Sequence, residues 1–320
     1  MMSDQRRRVE EIVRALAKSP RHGETSPEGH ARAVGLIEDW LQDAGCAVSR
    51  QTFEMPIEAG GRSGVNVIAR LKGDSGGESA SVIIGAHFDT RPNSPGADDN
   101  ASGVAAMVEC ARALTGRGLR RDVVLVAFDA EERQGQLHGL WGSEAFVRSL
   151  AGAASGNTHR RSAQDRPSIQ VRAAFVLEMV GFSSQKGTQK IPLPMRALFP
   201  AAGWSVMRRG YAGDFLVAVT RGRGKIVARA LARHSSRVGG PEVLTLGLPA
   251  WLPPPPDLLR SDHAPFWQAG VPAVMIGDTA NFRNPNYHLP SDTPETLDYE
   301  MIAGVARALA ETVSELSTER

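Results

Sequence analysis

His87 and Asp89 stand two residues apart at the end of the apolar run Val82-Ile83-Ile84-Gly85-Ala86, and the adjacent acids Asp98 and Asp99 follow a short loop later. Charge beside apolar residues is tolerated when it is paired or binds a metal. Arg91 is the only cation in that stretch, so a divalent metal ion is the first chemistry these residues suggest. Two further apolar runs end in acids. Val123 to Phe128 leads into Asp129-Ala130-Glu131-Glu132, and Ala173 to Leu177 leads into Glu178. In open α/β sheets ligands bind outside the carboxyl ends of the strands, so three strand ends of one sheet could gather these groups.

Spacing constrains their roles. Residues i and i+2 of an extended chain share a face, so Asp89 could accept from the His87 imidazole and fix its tautomer. Glu131 and Glu132 are neighbours and point to opposite sides, so they cannot bind an ion in the same way. Asp98-Asp99-Asn100 would also suit a helix N-cap, and residue types alone leave both roles open. His22, His30, His138, His159 and His234 have no supporting pattern.

His-x-Asp, Asp-Asp-Asn-x-Ser-Gly, Glu-Glu and the late Asn286-Tyr287-His288 occur in an order that resembles the zinc-dependent exopeptidases. Within them it is most similar to the two-zinc aminopeptidases of the bacterial leucyl aminopeptidase and aminopeptidase Y type. By element order the resemblance runs from Val9 to Val313. It implies one zinc ion on His87, Asp99 and Glu178 and a second on Asp99, Glu132 and His288, with Asp99 as the bridge. Cobalt or manganese could substitute for zinc. The resemblance makes Glu131 the general base and gives Asp89 a supporting role beside His87. Glu178 departs from the pattern, since most relatives carry Asp there. In Ser261-Asp262-His263, the resemblance places His263 near the substrate. Arg283 could pair a substrate carboxylate, against the plainer reading of a structural arginine.

The implied function is a metal-dependent exopeptidase, first an aminopeptidase acting on a peptide or aminoacyl substrate. A carboxypeptidase or other amidohydrolase, or a glutaminyl-cyclase-like transferase, would use the same site. A non-catalytic binding module, as in the transferrin receptor ectodomain, is disfavoured because the ligand set is complete.

The elements that must position these residues predict an α/β fold, with a mixed, largely parallel central sheet and helices on both faces. Helices are expected at 4–18, from Pro27 to Ala44, at 101–116, 142–150, 223–236 and 298–316. Strands are expected at 48–54, 64–72, 81–86, 123–128, 170–178, 214–220 and 272–277. The helix opening at Ala101 would turn its N–H groups toward the acidic loop. Residues 151–169 read as an exposed loop. Residues 182–262 are less regular, and the extended run Pro253 to Pro256 is either a rigid connector or a cleft wall. No repeat or clear linker appears, so 1–320 reads as one domain with 182–262 as a possible lid or cleft-wall insertion.

A chain of 320 residues that is 42% hydrophobic and 22% charged can bury a sizeable core. A net charge of +2 leaves no footprint for nucleic acid. Cys46 and Cys110 read as buried free thiols. The charged N-terminus lacks a signal-peptide core, and no apolar run would span a membrane, which together point to a cytoplasmic protein. Phe215, Phe266, Trp267 and Phe282 could line an apolar pocket, although aromatics are more often core. Oligomeric state, side-chain preference and natural substrate stay open.

Overall fold

The computed structural model describes residues 4–56, 61–75, 80–132, 139–150, 170–185 and 187–318. The expected loop at 151–169, with His159, and His138 lie outside the described residues. The chain opens with α1 (Asp4–Leu16) and α2 (Pro27–Asp43), followed by β1 (Ala47–Glu54), β2 (Ser63–Leu71) and β3 (Ser81–His87). A wide, irregular turn, Ala97–Ser102, leads into α3 (Gly103–Leu114). Next come β4 (Val123–Phe128), α4 (Trp141–Leu150) and β5 (Val171–Glu178). Then follow α5 (Leu193–Leu198), α6 (Pro200–Arg208), β6 (Phe215–Arg221), α7 (Gly224–Arg237) and β7 (Glu242–Leu248). The chain closes with α8 (His263–Gln268), β8 (Ala273–Gly277) and α9 (Tyr299–Thr318).

The eight strands form one sheet in the order β1-β2-β4-β3-β5-β8-β6-β7. The four central strands β4, β3, β5 and β8 run parallel, and their neighbours β2 and β6 are antiparallel to them. Central strands buried on both faces need apolar residues at every position. β4 and the interiors of β3 and β5 meet that need, and their alternate side chains enter different cores. Val82, Ile84, Leu125 and Phe175 pack into the core under α1, α2, α3 and α9. Ile83, Val124, Val126 and Val176 pack into the opposite core, with Phe146 of α4 and Phe266 of α8. Helices therefore cover both faces of a mixed, largely parallel sheet. Phe266 and Trp267 belong to that second core. Cys46 and Cys110 are buried free thiols, and burial pushes both above their ordinary range, Cys46 to about 11.

Residues 182–262 are more regular than their proline content suggests. They contribute β6 and β7 to the sheet, as well as α5, α6 and α7. Pro194 and Pro200 fall in the first turn of α5 and α6, where a missing N–H removes no helical bond. Pro256 likewise opens a short 3₁₀ turn, Pro256–Leu259. Among the described residues no helix is long and apolar enough to cross a membrane.

Candidate metal centre

His87 ends β3, Glu178 ends β5, and Glu131 and Glu132 follow the end of β4. These strands are adjacent and parallel, so their carboxyl ends meet at one rim. The wide turn 97–102 brings Asp99 to the same place, and the loop before α9 brings His288. His87 Nε2 lies 3.2 Å from Asp99 Oδ1, 3.5 Å from Glu178 Oε1 and 3.9 Å from Glu131 Oε2. His288 Nε2 lies 3.2 Å from Asp99 Oδ2 and 3.1 Å from Glu132 Oε1. Asp99 thus turns one carboxylate oxygen to each histidine. Two groups of donor atoms, one on His87, Glu131 and Glu178 and one on Asp99, Glu132 and His288, each fit within 4.8 Å.

Electrostatics makes this cluster difficult to sustain without a cation. Burial pushes the Glu131 carboxyl well above its ordinary range; His87 opposes this, and Glu178, Glu132 and Asp262 reinforce it. Burial and then Asp99 raise Glu132 to about 7. Burial pulls the His87 imidazole down, but Glu131, Glu178, Asp89 and Asp99 together hold it well above its usual value. Asp99 goes the other way: burial raises it, but the two facing imidazoles, His288 and His87, hold it below the usual carboxylate range. His87 Nε2 is buried and makes no hydrogen bond. An imidazole nitrogen aimed without a partner into a ring of carboxylates, with a second imidazole across Asp99, is a donor set that suits zinc.

The surrounding bonds explain how the ligand candidates are held. Asp89 lies 3.5 Å from His87 Nδ1 through Oδ1, and its backbone oxygen lies 3.2 Å from the same nitrogen. Its carboxylate also accepts the N–H groups of Glu131 at 3.0 Å and Glu132 at 3.2 Å. One acid therefore sets both the imidazole of β3 and the backbone after β4. The side chain of Asn100 donates to the Leu177 carbonyl at 2.8 Å and accepts from Met179 N–H at 3.0 Å, bracketing Glu178. Ser102 Oγ accepts from Val180 N–H at 3.0 Å and donates to the Asp98 carbonyl at 2.7 Å. A Cβ on Gly103 would lie 2.4 Å from Asn100 Oδ1, which is why glycine closes this motif. Asp98 turns away from this cluster. Its carboxylate accepts from Gly181 N–H at 2.9 Å and Asn284 Nδ2 at 2.7 Å.

Several expectations are corrected. The N–H groups that face the acidic loop are not those of a helix opening at Ala101. Regular helix starts at Gly103, and Gly103 N–H is bonded to Asn100 Oδ1 at 3.2 Å. The N–H groups of Asp98 and Asp99 instead donate to the two oxygens of Asp292, at 2.9 and 3.1 Å. His263 is fully buried: Nε2 meets the Leu258 carbonyl at 2.9 Å, and the ring stands edge-on to Trp267. Burial drops it to about 4, which keeps it neutral, and it does not reach the cleft. Arg283 is also buried. Its Nε donates to Gln189 at 2.8 Å and Nη1 to the Phe215 carbonyl at 2.7 Å, while the guanidinium stacks on the Phe215 ring. Neither residue is placed to bind substrate.

Other positioning residues went unread in the sequence. Arg21 is wholly buried and donates to the carbonyls of Phe88, Pro95 and Gly96, gripping both ends of the loop between His87 and Asp99. Ser261 donates to Glu178 Oε2 at 2.7 Å. Asp129, the first acid after β4, does not join the cluster; it accepts from His30 Nε2 and Val65 N–H, each at 2.9 Å.

The model of peptidase family M28 matches residues 66–197 and 253–313, which include every residue of the cluster. The chain belongs to peptidase family M28. It is 31% identical over 309 residues to the uncharacterized protein YfbL of Escherichia coli, covering 93% of this chain and 84% of that one. It is 26% identical over 341 residues to a probable zinc metalloprotease of Leptosphaeria maculans, covering 96% and 72% of the two chains. Aminopeptidase YwaD of Bacillus subtilis is 28% identical over 231 residues, 69% of this chain and 38% of that protein. LapB of Legionella pneumophila shares the fold with a TM-score of 0.69 at 19% identity, covering 98% of this chain and 72% of that chain. A glutaminyl cyclase of Porphyromonas gingivalis shares it with a TM-score of 0.66 at 20% identity, covering 98% and 99%. This M28 protein is a zinc metallopeptidase.

Proposed function

We propose that this M28 metallopeptidase is an aminopeptidase that binds two zinc ions, one on His87, Asp99 and Glu178 and one on Asp99, Glu132 and His288. The observation that carries the reading is the split use of Asp99, with one oxygen 3.2 Å from each imidazole. The aminopeptidase relatives give the direction of the chemistry. Bound zinc supplies Lewis acidity toward water and toward the scissile carbonyl. Glu131 takes the proton from the attacking water and returns it to the leaving amine as the carbon–nitrogen bond breaks. Asp89 orients His87 and holds the Glu131 backbone, so it positions rather than reacts.

The carboxypeptidase alternative loses the arginine that suggested it, because Arg283 is buried, outside the lining of the cavity, with Nε and Nη1 bonded to Gln189 and the Phe215 carbonyl. A cyclase using one ion would leave half of the donor set idle. The test is hydrolysis of aminoacyl p-nitroanilides by purified protein, with loss on chelation, recovery with zinc and an elemental count of zinc per chain. Hydrolysis with two ions per chain is expected. A single ion with cyclisation of N-terminal glutamine would overturn the reading, as would inertness toward a broad aminoacyl panel after zinc loading.

A further inference from the structure

From the metal centre a cavity of about 610 Å³ runs sideways beneath α5 and α6. Its floor is Phe215, Val217 and Val219 of β6, Leu244 and Leu246 of β7 and Met275 of β8. These alternate positions share one face of the sheet, so their side chains line a continuous surface. Its roof is Met195, Phe199 and Val206, with Ala202 and Gly203 leaving room between them. Every lining residue from these strands and helices is apolar. The charged residues of the lining come from elsewhere: the acids of the metal centre, including Glu178 at the end of β5, and Arg91, Lys190, Asp257 and Arg260 from loops and a short turn.

The cavity is too long for one ordinary side chain. Glu178 ends β5, and Leu244 and Leu246 lie on β7, three strand positions away across β8 and β6. At roughly 4.8 Å per strand that is about 14 Å. An apolar cavity of about 150 Å³ already holds a benzene ring. The volume here is several times that, even after the part beside the metal ligands is set aside.

We propose that this cavity receives a long unbranched hydrocarbon chain on the acyl side of the scissile bond, so that the preferred substrates are amides of lipid-like 2-amino acids or of comparably long apolar acyl groups. The inference rests on the proposed hydrolytic reading, because it places the scissile carbonyl at the metal centre and the chain along β8, β6 and β7. A leucine side chain would occupy only the near end. Each further methylene would bury more apolar surface on β6 and β7, raising kcat/KM by about threefold per added carbon until the chain reaches Leu246.

The test is a straight-chain series of p-nitroanilides, from alanyl through norleucyl and 2-aminooctanoyl to 2-aminododecanoyl, with the zinc-loaded full chain. Specificity that climbs past norleucyl to 2-aminooctanoyl or longer supports the proposal. In Leu246→Trp, which blocks the far end, the optimum should move to a shorter chain. An optimum at norleucyl or shorter in the unaltered protein overturns the proposal while leaving the aminopeptidase reading intact. Titration calorimetry with 2-aminodecanoic acid separates the remaining outcomes. Binding tighter than that of alanine without turnover of any substrate keeps the cavity assignment and removes the aminopeptidase. Absence of both binding and turnover overturns the two together.

Discussion

At the residue scale, the cluster asks each acid for a different service, and the geometry separates those services. Asp99 is shared between two imidazoles, Glu132 belongs with His288, and Glu131 stands on the His87 side without a hydrogen bond to either histidine. Glu131→Gln keeps the shape and removes the basic oxygen. It should lower kcat by about 10²- to 10⁴-fold while zinc content and thermal midpoint stay where they were. An equal loss of bound zinc would show that Glu131 is a ligand instead. The thiols give a second expectation. Burial raises both Cys46 and Cys110, so a thiol reagent at neutral pH should label neither in the native chain and both after denaturation. Rapid native labelling of Cys110, which is 0% exposed, would contradict the packing around α3. These residues were legible in the sequence because their type and order in the chain carry the signal. Arg21 and Asp292 were not, because their partners are backbone groups 75 and 193 positions away, which only the folded chain brings near. The surroundings of His263 are not legible because a polar residue beside a motif looks the same whether it faces a cleft or is buried behind it, while Arg283 takes the plainer, structural reading.

At the element scale, the wide turn 97–102 is the part that makes strand ends into a centre. Its backbone is held from one side by Arg21 through Gly96 and from the other by Asp292 through the N–H groups of Asp98 and Asp99. Asp292→Asn keeps the volume but replaces one acceptor with a donor that faces a backbone N–H. A buried N–H left without a partner costs about 1–3 kcal/mol, which urea unfolding should read directly. Because Asp99 would then be held less firmly, zinc affinity should also drop, by about tenfold to a hundredfold, as is usual for groups that orient ligands. Unchanged stability and affinity would mean that Asp292 is incidental to the turn. The turn itself was hidden from periodicity, since Asp-Asp-Asn reads equally as a cap and Ala101 onward reads as ordinary helix. Regular strands and amphipathic helices were legible because burial on a fixed face imposes a period. α5 and α6 escaped for an opposite reason: Pro194 and Pro200 weaken the helical pattern of their segments, although each sits where a helix tolerates it. β7 escaped because it is an edge strand with half-buried positions, so its alternation is weak.

At the scale of the whole molecule, the centre joins parts that lie far apart in the chain. β3, β4 and β5 supply donors from the strand ends, the turn 97–102 supplies Asp99, and the loop before α9 supplies His288. Burial drives Glu131 and Glu132 upward, and the carboxylates around them drive both histidines to hold protons, which is the signature of charges packed without a counter-charge. A ligand that binds only the folded chain stabilises it by about 4 kcal/mol when its concentration is a thousandfold above Kd. In a chain of this length that amounts to several degrees in thermal midpoint. The chelated protein should therefore melt several degrees below the zinc-loaded one, and titration back should recover the midpoint in two steps that saturate at two equivalents. His288→Ala should abolish one step and leave the other, because it removes a donor from only one of the two groups. Saturation at one equivalent in the unaltered protein, or loss of both steps in His288→Ala, would mean that Asp99 serves a single ion and that the two halves of the cluster are one site.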